Sequence, residues 1–246
     1  MNVCFADLHV HTALSPCADA EMTPPAIVDA ALAKGLAMIA VCDHNSARNA
    51  AAVEAAAGER LAVVAGVEIT TVEECHVVGL FPGVPAAEAA AVQVGATLPR
   101  ADDEYEAFFG EQHVCDAGGA ETGRETLALA TATSLDIDAV VKLIHRHGGL
   151  AVAAHIDRTS FGVIGQLGFF PAEAEFDAVE LSRHVPPGSE REAEFAAYGL
   201  PILHSSDAHY RSDVGAVRTA VRCVRPDFRE LVLAVHGLDG RGIGHA

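Results

Sequence analysis

Short apolar runs rich in Val, Ile and Leu recur along the chain, separated by longer amphipathic or alanine-rich stretches. Runs of this length and composition predict strands, here at residues 3–8, 37–42, 61–67, 75–81, 150–154, 178–181, 201–203 and 216–224. Helices are predicted between or after them, at residues 24–34, up to residue 57, and at residues 137–147 and 228–235. This alternation indicates an α/β fold with a largely parallel sheet, and about seven strand–helix units indicate a closed barrel.

The pattern is weaker between residues 83 and 130. Residues 86–92 are compatible with a helix, but residues 102–123 are acidic, contain glycine and show no clear period. This stretch also lacks the apolar residues that a core of its own would need. We therefore predict one domain over residues 1–246, with an insertion or a flexible segment at about residues 83–130.

Composition narrows the class of protein. Half of the residues are hydrophobic and the formal net charge is −18, which argues against non-specific binding to nucleic acid. An acidic protein can still bind a phosphorylated substrate if metal ions supply positive charge. No run approaches the roughly 18 apolar residues of a membrane span, and no signal peptide is recognisable. The six cysteines lack disulfide-framework spacing, so we expect free thiols and a cytoplasmic protein.

Residue types that bind metal ions follow several predicted strands. His9 and His11 alternate along an extended chain and therefore face one side, and Glu68 ends a run in which an unpaired charge would be costly. Each cluster alone is a weak signal that capping aspartates or hydrogen-bonded histidines would also explain. Together they predict a multinuclear metal site, because the carboxyl ends of parallel strands converge. The set comprises His9, His11, Asp43, His44, Glu68, His76, His155, Asp207 and His209.

The same residues carry a resemblance to a known family. The stretches Asp7-Leu8-His9-Val10-His11-Thr12, Asp43-His44-Asn45, Glu68, His76, Ala154-His155 and Ser206-Asp207-Ala208-His209 resemble, in order, the motifs of the PHP (polymerase and histidinol phosphatase) superfamily. The resemblance spans nearly the whole chain. It implies a distorted, TIM-barrel-like (β/α)7 barrel with two or three divalent metal ions. Nitrogen and oxygen ligands suit Zn, Mn or Fe better than Ca or Mg.

The resemblance also implies which residues share each ion. One ion would be held by His9, His11, Glu68 and Asp207. Glu68 would bridge to a second ion held by His76 and His155. A third would be bound by His44 and His209.

One position departs from the family pattern. Many members carry Asp or His about six residues after the second histidine of the first motif, where this chain has Cys17. A thiolate is a good ligand for zinc or iron, so we predict that Cys17 coordinates the third metal. The alternatives are a third site that uses Asp19, a third site that stays vacant, and a small buried thiol with no ligand role.

The resemblance implies a metal-dependent phosphoesterase that hydrolyses a small phosphate monoester or a nucleotide-type phosphoester by a metal-activated water. Arg158 would bind the phosphate, and His209 would protonate the leaving oxygen. The partner would be a small phosphorylated molecule or a short oligonucleotide. Around this site, Arg183 and His184 are further candidates for the pocket. Glu180 is expected to be a polar residue of the barrel end, and His204 a buried, hydrogen-bonded one.

Two other readings remain open. A hydrolase of the amidohydrolase type also uses a histidine-rich metal barrel, but its carboxylated lysine has no clear counterpart among the strand-end residues. A non-catalytic, metal-stabilised module of a larger assembly is the second reading.

Overall fold

The computed structural model describes residues 1–244 and contains eleven strands and eight helices in that range. The strands are β1 (Asn2–Val10), β2 (Met38–Val41), β3 (Ala62–Thr70), β4 (His76–Phe81), β5 (His113–Cys115), β6 (Glu121–Arg124), β7 (Leu150–Ala153), β8 (Ala178–Leu181), β9 (Ile202–His204), β10 (Thr219–Cys223) and β11 (Gly242–Gly244). The helices are α1 (Pro24–Ala33), α2 (Ala50–Ala57), α3 (Val84–Gly95), α4 (Asp103–Phe109), α5 (Ile137–Arg146), α6 (Val163–Leu167), α7 (Glu190–Phe195) and α8 (Phe228–Val235).

Seven strands form the wall of a nearly closed barrel in the order β1-β2-β3-β4-β7-β8-β9, and β10 and β11 extend the sheet beyond β1. The ring closes just after β9. There the amide of His11 donates to the carbonyl of Ala208 at 3.0 Å, and the amide of Ala208 donates to the carbonyl of His9 at 3.3 Å. The predicted α/β barrel is confirmed.

The sheet is mixed, whereas the sequence predicted a largely parallel one. Strands β1 to β3 and β7 to β9 run parallel, but β4 is antiparallel to both β3 and β7, and β10 is antiparallel to β1. In this register His76, at the start of β4, lies opposite Thr70, at the end of β3. His76 therefore reaches the barrel end at which the parallel strands finish.

A bulge in β1 decides where its histidines point. Between Asp7 and Val10 the strand advances three residues, while the paired positions of β2 advance only two, from Ile39 to Val41. Leu8 packs into the barrel interior, whereas Val10 packs on the outside beneath α1 and α2. The extra residue turns His9 inward although its neighbour Leu8 also faces inward.

The stretch that the sequence predicted to be a loop or an insertion contains regular structure. Helix α3 contributes Ala87, Ala90 and Val94 to the core that α5 also covers, and β5 and β6 form a separate hairpin. The buried side chain of Gln112 donates to the carbonyl of Leu127 at 2.7 Å and accepts from an amide. These bonds join two parts of the stretch to each other, and the side chain of Asn49, just before α2, ties the hairpin to the barrel by donating to the carbonyl of His113 at 3.0 Å. Whether it is an insertion remains a prediction.

All six cysteines carry free thiols. Among residues 1–244, no helix combines the length and the apolar character that crossing a membrane requires.

Candidate metal centre

The barrel end that receives the strand termini gathers six imidazoles and two carboxylates. Among residues 1–244, three groups of side chains could each hold an ion, and within each group the ligand atoms lie within 4.8 Å of one another. They are His9, His11, Glu68 and Asp207; His44, Glu68 and His76; and His11, His44 and His209. The first group matches the set expected for the first ion. His155 lies in none of them, but its Nε2 is 3.2 Å from Oε1 of Glu68.

Glu68 is the hub of the cluster. Its Oε1 lies 2.7 Å from Nδ1 of His76, and its Oε2 lies 3.0 Å from Nδ1 of His44. Burial alone would raise the pKa of Glu68, but His76, His9 and His44 hold it well below the usual value. The carboxylate is therefore ionised, and it faces several imidazoles at once.

The hydrogen bonds around His9 and His11 fix which nitrogen is free. Nδ1 of His9 lies 3.1 Å from both carboxylate oxygens of Glu180 and donates to them. Nδ1 of His11 lies 2.9 Å from Oγ of Ser15, whose own proton goes to Asp43 at 2.7 Å. With Nδ1 of each ring engaged by these acceptors, Nε2 is the atom that points at the cluster and would bind an ion. Metal-binding histidines are oriented in this way by their outer partners.

Several buried atoms of the cluster have no hydrogen-bond partner. They include Nδ1 of His44, Nδ1 of His76 and Oε2 of Glu68. These atoms lie close to one another without the geometry of a hydrogen bond, and such atoms are costly to bury. A shared cation would satisfy them, and nitrogen together with oxygen donors suits a divalent transition metal. The residues present therefore fit divalent metal ions.

Backbone strain is concentrated in the same loops. Asn45, His155 and Asp207 have φ angles of 52°, 29° and 50°, a region that residues other than glycine rarely adopt. His155 and Asp207 are themselves candidate ligands, and Asn45 directly follows His44, which is another. Strain of this kind persists only where surrounding contacts hold it, as at functional sites.

Asp43 and Asp7 belong to the recognised motifs, but neither falls within the three groups. Oδ1 of Asp43 accepts from the amide of Thr12 at 2.7 Å, and its Oδ2 accepts from the Thr12 hydroxyl at 2.8 Å. Asp7 holds the amide and hydroxyl of Ser206 at 2.9 and 2.6 Å. Asp157 holds Ser182 in the same manner, at 2.8 and 2.7 Å. These aspartates tie neighbouring strand ends together, a role that only the tertiary structure reveals.

Arg158 and Phe161 stand at the mouth of the cluster. Nη1 of Arg158 lies 2.6 Å from Oδ2 of Asp207, and 32% of its side chain is exposed. The ring of Phe161 stacks on His76 with centroids 4.5 Å apart, while the residue is 43% exposed. Phe161 thus covers a candidate ligand from the solvent side.

Cys17 is exposed, so the reading of a small buried thiol is wrong. Partial desolvation raises its pKa, but hydrogen bonds with His209 and His44 lower that pKa to about 5. Cys17 lies outside the three groups described above. Asp19, the alternative ligand, also lies outside them, and its Oδ1 accepts from the amide of Glu21 at 2.7 Å.

The other polar residues considered in the sequence analysis are either buried and hydrogen-bonded to another side chain or exposed on the surface. Glu180 orients His9, a role that the sequence did not indicate. His204 is buried and lies 3.1 Å from Oε1 of Glu192, which confirms the prediction of a buried, hydrogen-bonded residue. Arg183 is exposed and pairs with Asp213 at 3.1 Å.

The fold is similar to several solved structures. Endonuclease Q from Pyrococcus furiosus matches 98% of this chain at 18% identity with a TM-score of 0.73, and endonuclease Q has also been solved with a 27-mer duplex substrate that carries an abasic lesion. This chain spans 58% of that enzyme's length. A proposed metal-dependent phosphoesterase from Bifidobacterium adolescentis (22% identity, TM-score 0.60) and an amidohydrolase from Chromobacterium violaceum (22%, 0.63) each match 93% of this chain, over 95% and 96% of their own length.

Comparison of the sequence with models of protein families identifies the family, which these distant structural similarities do not. The model of the PHP domain matches residues 7–177, and that of a PHP-associated region matches residues 190–237. No curated protein matches the sequence. The PHP match covers well over half of the chain and includes most of the clustered residues. The predicted resemblance is confirmed: this chain belongs to the PHP domain family.

Proposed function

We propose that this protein is a metal-dependent phosphoesterase that hydrolyses a small phosphate monoester or a nucleotide-type phosphoester. The observation that carries the proposal is the buried ring of imidazoles around ionised Glu68. Several nitrogen and oxygen atoms of this ring have no hydrogen-bond partner. Membership of the PHP family supports a metallohydrolase. The distant structural neighbours of nearly the same length include both a proposed phosphoesterase and an amidohydrolase, so the choice of phosphate esters rests on the residues of the site.

We assign the ligands to three positions. His9, His11, Glu68 and Asp207 would hold the first ion, in agreement with their mutual proximity. Glu68, His76 and His155 would hold the second. His44, His209 and Cys17 would hold the third, and the lowering of the Cys17 pKa by both histidines supports its inclusion.

The chain's own groups prepare the site for this chemistry. When bound, divalent ions lower the pKa of a water ligand and offset charge on the phosphoryl group. Glu180 and Ser15 hold the rings of His9 and His11 in the orientation that points Nε2 at the cluster. Arg158, anchored to Asp207 by one nitrogen and partly exposed, keeps further N–H groups for phosphoryl oxygens.

His209 has one nitrogen available for either of its predicted roles. Its Nδ1 lies 2.9 Å from the carbonyl oxygen of Asp207 and donates to it. Nε2 can then either bind the third ion or carry the proton that the leaving oxygen receives. These two roles exclude each other at any one moment, so His209 protonates the leaving group only while it is not a ligand.

The amidohydrolase reading has less support. The sequence contains only two lysines, Lys34 and Lys142. Lys34 follows α1, and Lys142 is paired with Asp138 on the exposed side of α5 at 2.6 Å. Neither lysine is at the metal end of the barrel, so the carboxylated lysine of that class has no counterpart. The ligand set disfavours a purely structural module, because no motif position lacks a donor.

The test pairs metal content with phosphate release. The protein is stripped with a chelator and reloaded with Mn or Zn. It is then assayed on phosphate monoesters, nucleotides and short oligonucleotides, with amides and lactones for comparison. We expect phosphate release to be lost on stripping and restored on reloading. Chelator-resistant turnover, or faster hydrolysis of amides or lactones, would contradict the proposal.

A further inference from the structure

A polar cavity of about 350 Å³ adjoins the metal centre on the side of Arg158. It is lined by Asp157, Arg158, Thr159, Ser160, His184 and Arg191. Two guanidinium groups and an imidazole thus face one space in a chain whose net charge is −18. Its single carboxylate, Asp157, is engaged by the amide and hydroxyl of Ser182. The charged side chains that line the cavity are therefore mainly cationic, although the protein as a whole is acidic.

The cations of this cavity are available to a ligand. Within residues 1–244, Arg191 makes no ion pair and no side-chain hydrogen bond. Arg158 uses Nη1 for Asp207 and belongs to the wall of the cavity as well. His184 uses only its backbone amide, which donates to Ser182 at 3.2 Å.

The wall is fixed directly to the metal centre. The amide of Arg158 donates to the carbonyl of His155 at 2.9 Å, which closes a tight turn after that candidate ligand. A Cβ at Gly162 would lie 2.5 Å from the carbonyl oxygen of Arg158, so only glycine lets the loop return this closely. Arg158 is consequently held between the two sites. A molecule with one phosphate at the metal centre would extend past Arg158 into the cavity.

We propose that this cavity binds a second phosphate of the substrate. The inference rests on the proposed phosphoesterase function and narrows its substrate class. The second phosphate would belong either to a bisphosphorylated small molecule or to the next linkage of a short oligonucleotide. Arg191 binds it through charge-assisted hydrogen bonds and His184 adds a second donor, while Arg158 remains with the phosphate at the metal centre.

The experiment compares matched substrates with one and two phosphates. The first pair is the monophosphate and the bisphosphate of propane-1,3-diol, and the second is a nucleoside 5′-monophosphate and a 5′-phosphorylated dinucleotide. Both kcat/KM and binding by calorimetry are measured on the metal-loaded protein. We expect the doubly phosphorylated partner of at least one pair to be preferred by about tenfold, mainly through KM, the scale of one hydrogen bond to a charged group. The pair that shows the preference identifies the source of the second phosphate.

Arg191→Gln is expected to remove this preference, and His184→Gln to weaken it. Arg225→Gln removes the same charge from an exposed ion pair with Asp227 and should keep the preference. Equal kcat/KM and equal binding of the mono- and bisphosphates would overturn the inference, as would an equal loss for both in Arg191→Gln. If no phosphoester is hydrolysed, the proposed function fails. The calorimetric comparison then still decides whether the cavity binds a second phosphate.

Discussion

The hairpin and the metal centre both combine histidine with glutamate, but the two clusters differ in burial and in hydrogen bonding. On the hairpin of β5 and β6, Nδ1 of His113 lies 2.6 Å from Glu121, and Arg124 lies 2.6 Å from Glu111. The two glutamate side chains there are 41% and 47% exposed. At the metal centre, Glu68 is 1% exposed and faces His9, His11, His44, His76 and His155.

The difference shows what distinguishes a metal centre from a surface network. The hairpin cluster has an acid for each base, and its contacts have hydrogen-bond geometry. The buried cluster sets six imidazoles around two carboxylates, and some of its buried atoms have no hydrogen-bond partner. Residue types alone would not separate the two. Burial and the presence of polar atoms without a hydrogen-bond partner distinguish the two clusters. Each of the following predictions tests that contrast.

The largest effect is expected at Glu68. Glu68→Gln keeps the shape but removes the charge that the surrounding histidines face, so the metal content of the purified protein should collapse. The loss of kcat/KM should exceed the roughly 10–100-fold that follows changes to outer partners of metal ligands. Elemental analysis and phosphate release measure both quantities. A variant that retains its full metal content would contradict the assignment of Glu68 as the bridging ligand.

A smaller loss is expected when an outer partner is changed. Asp43→Asn can no longer accept from Thr12 and Ser15 as the carboxylate does, so Ser15 and the ring of His11 lose their fixed orientation. Metal affinity should fall by about 10–100-fold while the fold is retained. Competition with a chelating dye measures the affinity. Asp116→Asn, in the exposed turn of the hairpin, is the matched control and should leave it unchanged.

The metal-free protein should show an unusually reactive thiol. Hydrogen bonds with His209 and His44 place the pKa of Cys17 at about 5, so its thiolate forms as the pH rises through that value. Alkylation of Cys17 should therefore level off above about pH 6. Burial raises the pKa of Cys75 to about 11, and that thiol should stay unreactive in the same range. Peptide mapping after alkylation measures both.

Zinc should protect Cys17 from alkylation if the thiolate is a ligand of the third ion. A midpoint near pH 9, or equal labelling with and without zinc, would remove Cys17 from the ligand set.

The smallest effect is expected on the hairpin. His113→Gln removes the contact with Glu121, but surface ion pairs of this kind contribute little to stability. Metal content, phosphate release and the melting temperature should all stay close to those of the unchanged protein. A loss of metal here would show that imidazole–carboxylate pairs bind ions regardless of burial, and the contrast between the clusters would fail.

Much of the barrel could be predicted from apolar periodicity. The eight predicted strands coincide with β1 to β4 and β7 to β10 to within a few residues at their ends. The direction of β4 could not be predicted, because periodicity does not encode which neighbours a strand pairs with. His76 lies near the start of the predicted strand 75–81, and only the antiparallel direction of β4 brings it to the barrel end at which Glu68 lies.

The features that escaped prediction depend on tertiary contacts. The bulge in β1 arises from a mismatch of register with β2, which no local pattern reveals. Glu180 sits within a strand and looked like any polar residue, yet across the barrel it orients the ring of His9. Residues 102–123 show no apolar period, and the hydrogen bonds by which Gln112 links this region to Leu127 and Leu129 leave no periodic signal in a sequence.

The closure of the barrel between β1 and the segment after β9 has a consequence for the folding of the protein. His11 and Asp207 lie side by side, yet 196 positions of chain separate them. Contacts of such long sequence separation form slowly, because a large loop must close first. A growing polypeptide that has not yet supplied Asp207 and His209 holds only part of the donor set. The full donor set therefore cannot assemble before the chain has been synthesised as far as His209, so an ion captured earlier would be held by fewer ligands.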